Sequence, residues 1–248
     1  MAHGKRYRQQ QEKVQRDRPY PPAEAIALVK ETASTNFDET VELHVALGVN
    51  VRHAEEQLRG TLALPHGLGR DVTVAVFAQG QQGRDAEAAG ADFVGGEDLA
   101  QRVEEGWTDF DVAIATPDMM PTVGKLGRVL GPQGKMPNPK VGTVTEDVEK
   151  AVTESKSGKV EYRTDRQAIV HMAIGKASFE QQKLLDNYIA VIEEIVRAKP
   201  SSSKGRYIVS STLTTTMGPG IRVDATKTSD RDLAISAAPE AAGEPATA

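Results

Sequence analysis

VTVAVFA, residues 72–78, is a continuous apolar run bounded by polar turns. Such a run is typical of a strand that is covered on both faces. Downstream, ADFVGG and FDVAIATP predict further strands, and EDLAQRVEEG, residues 118–129 and residues 146–155 predict helices. Strands that alternate with helices at this pace indicate βαβ units. We therefore predict a three-layer α/β domain with a small parallel sheet over residues 68–159.

The sequence on the N-terminal side of this domain has a different pattern. Pro21 and Pro22 open a predicted helix, because proline is favoured in the first helical turn. ETVELHVAL, residues 39–47, then alternates apolar and polar side chains, which predicts a half-buried strand.

On the C-terminal side, KVEYRT and AIVHMAIG are two alternating runs separated by DRQ, which predicts a β-hairpin. A long amphipathic helix follows, with a capping-box pattern at Ser178 and Gln181. GRYIVSSTLTTT predicts a last strand before a Gly-Pro-Gly turn.

Neither flank alone is long enough to bury all of its apolar faces. We therefore predict that residues 1–67 and 160–228 form one discontinuous α+β domain, which the 68–159 domain interrupts. The two connections, near residues 65–67 and 158–159, would then form a double hinge. Residues 229–248 are rich in Ala, Pro and Glu, and we expect an acidic, disordered tail.

The charge of the chain is unevenly distributed. The net charge is −5, with 9 basic and 9 acidic residues in 1–67, 10 and 15 in 68–159, 10 and 7 in 160–228, and 1 and 4 in the tail. The discontinuous domain is therefore neutral to basic and could present a cationic face, so the acidic total does not exclude a nucleic-acid partner.

Several classes of function find little support. The chain has no cysteine, which excludes disulfides and thiolate chemistry, and no run approaches a membrane span or a signal peptide. The histidines show no metal-ligand spacing and no catalytic relay stands out; they are His3, His44, His53, His66 and His171. We expect a cytoplasmic protein with no catalytic residue, metal, cofactor or membrane partner.

LGRVLGPQGKMPNPK, residues 126–140, combines glycines and prolines with Arg128, Lys135 and Lys140. It is not a Walker A loop, because Val129 stands where that motif has its first glycine and Met136 where it has Ser or Thr. The glycines and prolines predict a rigid loop that holds the cations at one rim of the inserted domain.

GKLGRVLGPQGKMPNPKVGTVT resembles the signature of the ribosomal protein L-one family, found on the mobile stalk of the large ribosomal subunit. TLTTTMGPGIRVD, EAIALVKETASTNFDETVELHVALGV and LRGTLALPHGLGR, which leads into VTVAVF, are further matches, and the four are spaced in order from Glu24 to Asp224. The resemblance implies an RNA-binding domain built from both termini and an inserted α/β domain.

The resemblance also implies an rRNA-binding face. Its residues here are Asn36, Phe37, Thr40, Glu42, Arg163, Asp165, Arg166, Thr215, Thr216, Met217 and Gly218. In the hairpin, Thr164 and Arg166 stand where the family commonly has Asn and Lys. Taken without the family, the residues favour a core aromatic at Phe37 and an edge strand with a turn at TTTMGPG, while solvated acids on a strand face would look the same as Glu42 and Asp165.

Three partners follow from the resemblance: the stalk of large-subunit rRNA, the exit-site tRNA and the protein's own operon mRNA, whose binding would repress its translation. The Arg128, Lys135 and Lys140 rim is the candidate tRNA contact, unless its loop only packs on its own domain. The inserted domain would swing on the double hinge as tRNA leaves. Residues 5–18 are a secondary RNA contact or a solvated helix. A small α/β enzyme and a protein-binding scaffold remain as rival classes.

Overall fold

The computed structural model describes residues 4–15 and 17–224, except the side chain of Lys140. The helices are α1 Lys5–Glu12, α2 Pro22–Thr32, α3 Gln81–Ala88, α4 Glu97–Glu104, α5 Met120–Lys125, α6 Gly127–Leu130, α7 Val148–Lys156 and α8 Gln181–Arg197. The strands are β1 Thr40–Leu47, β2 Arg59–Ala63, β3 Val74–Phe77, β4 Phe93–Gly95, β5 Val112–Ala115, β6 Lys159–Arg163, β7 Ile169–Lys176, β8 Ile208–Thr215 and β9 Ile221–Val223. The acidic tail lies outside the described residues.

The chain divides into two compact units, and the fold class expected from the sequence is confirmed. The first unit joins the residues up to Leu58 with those from Arg163 onward, and the second spans Arg59–Tyr162. The expected connections near residues 65–67 and 158–159 lie inside the second unit. There Gly158 packs on Gly67 so closely that a Cβ on Gly158 would come within 2.7 Å of the Gly67 Cα.

The first unit is built on an antiparallel sheet with strand order β7-β1-β8-β9. Its inner face is apolar, since Val41, Leu43, Val45 and Leu47 of β1 are buried at every second position. Helices α2 and α8 pack on the sheet and on each other. Burial of these side chains at roughly 1.5–3 kcal/mol each stabilises this layer.

The outer face of the same sheet is polar. It carries Glu42 and His44 of β1, His171 of β7, and Thr212 and Thr214 of β8, all half-buried or exposed. The alternation of β1 therefore separates a core face from a face that remains available to a partner.

The hairpin expected from KVEYRT and AIVHMAIG forms only at its turn. The Asp165 amide donates to the Ile169 carbonyl at 2.9 Å, and one antiparallel bridge joins Thr164 to Val170. Beyond that bridge, β6 leaves the sheet and pairs with β2, while β7 pairs with β1. The Thr164 amide already marks this departure, because it donates to Leu58 O just before β2.

The capping box expected at Ser178 and Gln181 is also wrong. Helix α8 begins at Gln181 after an extended Glu180, with no side-chain cap. Ser178 instead donates its hydroxyl to Asp38 Oδ2 at 2.7 Å, so its side chain ties the loop before α8 to the loop before β1.

In the second unit, β4, β3 and β5 form the parallel sheet. Strand β3 is buried on both faces, with Ala75 and Phe77 in a core shared with α4 and α5, and Val74 and Val76 in a core shared with α7. Two cores on one sheet give the expected three layers. The helix expected over 118–129 is divided at Leu126 into α5 and α6.

Among the described residues, no helix combines the length and the apolar character needed to cross a membrane.

Candidate nucleic-acid interface

Three strands of the first unit bring predicted site residues together at one end of the sheet. Thr40 at the start of β1 pairs with Lys176 at the end of β7, and Val41 pairs with Thr215 at the end of β8. We call this group the strand-end cluster: residues 34–40, Lys176 and residues 215–218.

A buried carboxylate that the sequence analysis missed connects the loops of the strand-end cluster. Glu39 is 2% exposed. Its Oε1 accepts from the Ser34 amide and from the Thr35 amide and hydroxyl at 2.9–3.1 Å. Its Oε2 accepts from the Met217 amide at 2.9 Å. One side chain therefore fixes both the loop before β1 and the turn after β8.

The charge of Glu39 is stabilised by these donors. Burial alone would raise the pKa of Glu39, but hydrogen bonds from the Met217 amide, the Thr35 hydroxyl and the Ser34 amide outweigh it and hold the pKa below its usual value. The sequence pattern marked this position only as the start of a strand, because the partner that connects it to the second loop, Met217, lies 178 residues later in the chain.

The two loops that Glu39 holds present apolar side chains to solvent. Phe37 is 56% exposed and Met217 is 53% exposed, and among the described residues only Val196 and Val209 are other large apolar side chains with such exposure. The core-aromatic alternative for Phe37 is therefore wrong. The alternative for TTTMGPG, an edge strand with a turn, holds in part: Thr214 and Thr215 pair with β1, the β9 register covers only residues 211–213, and a turn follows.

Hydroxyl groups and a cation complete the strand-end cluster. The Thr40 amide donates to Thr216 Oγ1 at 3.1 Å, and Lys176 Nζ donates to Thr40 Oγ1 at 3.0 Å. Asn36 lies in the loop beside Phe37. Lys176 was not singled out in the sequence, because only the β1–β7 register places it opposite Thr40.

Gly218 makes the turn after β8 tight. A Cβ at this position would lie 2.3 Å from Thr215 Oγ1, a separation that atoms do not tolerate. The Thr214 hydroxyl closes the same turn by donating to the Thr215 carbonyl at 3.0 Å. The backbone is thus exposed where a side chain would otherwise cover it.

Three further predicted residues lie at the opposite end of the sheet. Arg163, Asp165 and Arg166, which we call the turn cluster, adjoin Ala168, whose carbonyl accepts from the Leu47 amide at the far end of β1. Eight residues of strand separate the two ends, a distance of about 25 Å. The structure therefore divides the predicted face into two clusters.

Asp165 shapes the turn that carries the two arginines. Its Oδ1 accepts from the Gln167 and Ile169 amides, each at 2.8 Å. The Ile169 amide in particular holds the pKa of Asp165 below its ordinary value, against a smaller opposing effect of desolvation. Both Arg163 and Arg166 are exposed.

Glu42 lies between the clusters on the outer sheet face, 3.6 Å from His44 Nε2. His44 in turn faces His171 across β1 and β7. In the sequence these two histidines stand 127 residues apart and form no recognisable pair.

The loop of the second unit holds its cations differently. Lys135 Nζ donates to the Thr108 carbonyl at 2.9 Å and lies 5.2 Å from the centre of the Phe110 ring, so this ammonium is engaged within its own unit. Arg128 is exposed on α6, and the side chain of Lys140 lies outside the described residues.

Within residues 4–15 and 17–224, no group of three or more His, Asp or Glu residues could hold a metal ion. What the two clusters offer is threonine hydroxyls, exposed backbone, apolar side chains and cations. This combination suits the sugar, base and phosphate surfaces of RNA.

Comparison with known proteins agrees with this chemistry. Residues 29–219 match the model of the family described as "Ribosomal protein L1p/L10e family". The chain is 55% identical over 224 residues to the "Large ribosomal subunit protein uL1" of Thermobifida fusca, which covers 90% of this chain and 95% of that protein. It is 56% identical over 227 residues to the protein of the same name from Beutenbergia cavernae, covering 92% and 95% respectively.

Proposed function

The chain belongs to the ribosomal protein L1p/L10e family and is thus a structural protein of the large ribosomal subunit, and we propose that its first unit binds the stalk region of the large-subunit rRNA. It works in the ribosomes of the cytoplasm as a structural component. The family membership disagrees with both rival classes, the metabolic enzyme and the protein-binding scaffold.

The observation that carries this proposal is the exposure of Phe37 and Met217 on two loops that share one buried carboxylate. Single exposed apolar side chains are common on protein surfaces, but these two stand on loops that one buried carboxylate holds in place, next to hydroxyls and a glycine turn. An aromatic ring and a thioether suit the faces of unstacked bases and of sugars. The hydroxyls of Thr40 and Thr216 and the backbone at Gly218 lie beside them for 2′-OH and phosphate contacts.

We assign the turn cluster to the same RNA. Arg163 and Arg166 can each bind phosphate with a planar fork of donors, and Asp165 fixes the turn between them. A folded RNA that follows the polar sheet face would reach both clusters across about 25 Å.

The test is binding of the purified protein to a fragment of the stalk rRNA across a salt series. We compare the wild type with a Phe37→Ala, Met217→Ala double variant and with a Val196→Ala, Val209→Ala control. The control pair is also exposed and apolar but lies outside both clusters. Loss of base stacking on one aromatic costs about 1–3 kcal/mol, so we expect a loss of roughly tenfold or more in the site variant and little change in the control.

Two results would refute the proposal. One is equal affinity for the stalk fragment and for an unrelated RNA of the same length. The other is equal losses in both double variants, which would show that exposed apolar area, and not this site, determines binding.

For the second unit, we propose that Arg128 and Lys140 contact the exit-site tRNA. Lys135 serves chiefly to fix the loop, because its ammonium is engaged by Thr108 and Phe110. Ribosomes assembled with an Arg128→Ala, Lys140→Ala variant should hold exit-site tRNA less tightly, while rRNA binding stays unchanged. An Arg84→Ala, Lys150→Ala control, with exposed cations on α3 and α7, should behave as the wild type. A similar loss in the control would indicate nonspecific charge attraction.

We further propose that the first unit represses translation of its own operon by binding an mRNA site that resembles the rRNA. One surface would then serve both RNAs, so free rRNA should compete with the mRNA. A translational reporter fused to the operon leader should be repressed by the wild type and not by the Phe37→Ala, Met217→Ala variant. Repression by that variant would separate the two activities.

A further inference from the structure

A chain of four titratable groups crosses the outer face of the sheet in the first unit. Asp165 Oδ2 lies 3.4 Å from His171 Nε2, and Glu42 Oε2 lies 3.6 Å from His44 Nε2. Between the two rings, His44 Nδ1 lies 2.8 Å from His171 Nδ1. Each carboxylate thus faces the outer nitrogen of one histidine, and the inner nitrogens face each other.

The carboxylates determine where the imidazole protons lie. A carboxylate favours a proton on the nitrogen that faces it, so His171 Nε2 donates to Asp165 Oδ2 at 3.4 Å, and Glu42, at 3.6 Å, favours a proton on His44 Nε2 as well. If both rings were neutral, two Nδ1 lone pairs would then oppose each other at 2.8 Å. This contact is repulsive unless a positive charge lies between the nitrogens.

The geometry of the two rings fits a proton between the nitrogens better than a metal ion. The ring centroids are 4.9 Å apart, close to the Nδ1–Nδ1 distance plus the radii of both rings, so the nitrogens point nearly straight at each other. A metal ion on that line would need the nitrogens about 4 Å apart, since its bonds to imidazole are about 2 Å long. A shared proton fits the 2.8 Å separation.

We propose that His44 and His171 share one proton and act as positioning residues for Glu42 and Asp165, the two carboxylates of the RNA-binding face. This inference rests on the proposed rRNA binding. The single positive charge of the pair lies between the two negative charges and offsets part of their repulsion toward RNA. It also links β1 to the turn cluster by side chains, so that the outer face keeps one arrangement before RNA binds.

A second proton would break this arrangement. It would place a hydrogen on each Nδ1 and two positive charges at the same short distance. Burial, and then the charge of His171, lower the pKa of His44, against the opposing effect of Glu42. The doubly charged pair therefore forms only as the pH falls through the lowered pKa, below the ordinary value of 6.5.

The neighbouring strands supply few other charges to the pair. Strand β8 presents the uncharged Thr212 opposite His44, and the next strand places Arg222 opposite Thr212. Arg163 and Arg166 flank Asp165 in the turn. Glu42 and Asp165 remain the only acids that contact the pair within the described part of the chain.

The experiment has two parts, each with His44→Gln, His171→Gln and the control His53→Gln, which removes an exposed histidine of the same unit. In the free protein, imidazole NMR should show one far-downfield Nδ1 proton at neutral pH. It should vanish in both site variants and persist in the control. Two rings that titrate independently in the wild type would overturn the shared proton.

In the second part, affinity for the stalk rRNA fragment is measured from pH 7.5 to pH 5.5. The wild type and the control should lose affinity about 3–10-fold on acidification, which is the value of one hydrogen bond. The site variants should start weaker and show no such loss. If acidification strengthens wild-type binding as much as that of the variants, the pair only adds charge and the positioning role is wrong.

The two parts separate this inference from the proposed function. Failure of the wild type to prefer stalk rRNA at any pH would refute the proposed function and the positioning role, while the NMR result would still decide the shared proton. Preferential RNA binding without a shared proton would refute only the inference.

Discussion

Replacement of Glu39 by glutamine should loosen the strand-end cluster while changing almost no volume. Glutamine keeps one oxygen for the donors of Ser34 and Thr35 but turns an NH2 group toward the Met217 amide. That amide then loses its acceptor in a site where Glu39 is 2% exposed. An unsatisfied buried donor that previously bonded a charge costs about 2–3 kcal/mol.

Urea unfolding measures this cost. With an m-value of about 2 kcal/mol/M, the midpoint of the first unit should fall by about 1 M. Circular dichroism follows the chain as a whole, whereas Trp107, the single tryptophan, reports on the second unit. The Trp107 transition should therefore stay in place. Glu55→Gln, at an exposed position, is the matched control.

The pH dependence gives a second check on Glu39→Gln. Because the folded pKa of Glu39 is lowered, its contribution is complete above the unfolded value near 4.5 and is lost as the pH falls through the folded value. The difference between wild type and variant should shrink over that range. A constant difference down to acid pH, or an equal shift in Glu55→Gln, would show that the carboxylate charge is not what holds the loops.

Three further changes test other parts of the structure. Gly218→Ala places a Cβ against Thr215 Oγ1, so it should lower the free energy of unfolding by about 1–3 kcal/mol and weaken stalk rRNA binding at least tenfold. Unchanged affinity in a binding titration would show that the turn adapts. Lys135→Met removes the ammonium group that donates to the Thr108 carbonyl, so the unfolding midpoint reported by Trp107 should fall by the equivalent of about 1 kcal/mol. An unchanged midpoint together with weaker tRNA binding would instead make Lys135 a direct tRNA contact. Asp92→Asn should destabilise the second unit at neutral pH but not in acid, because the Val74 amide, the main partner of Asp92, lowers the pKa of this carboxylate. Unfolding followed by Trp107 fluorescence at several pH values measures this, and a destabilisation that does not change with pH would contradict it.

The sequence predicted those elements whose burial follows from their own hydrophobic periodicity. The burial of β1 at every second residue and of β3 on both faces follows directly from VELHVAL and VTVAVFA. The division of the chain into a discontinuous unit and an inserted one also followed from pattern, because neither flank could bury its own faces.

What the sequence could not show depends on partners that are distant in the chain. Ser178 satisfies the local capping pattern, yet its hydroxyl bonds Asp38, which lies 140 residues earlier. The β6 run has hairpin alternation, yet it pairs with β2. Glu39 and the two histidines of the sheet face gain their importance only from strand register, which no local pattern specifies.

The strand order β7-β1-β8-β9 also has a consequence for how the protein is made. Strand β8 lies beside β1 in the sheet but is among the last parts of the described chain to leave the synthesising ribosome. Residues 59–162 emerge earlier as a continuous segment with their own cores, so they can fold while the rest is still being translated. The strand-end cluster exists only after residues 215–218 have appeared. If RNA binds as proposed, a nascent chain therefore lacks the complete site until residues 215–218 have been translated, and only chains extended that far can present both clusters to RNA.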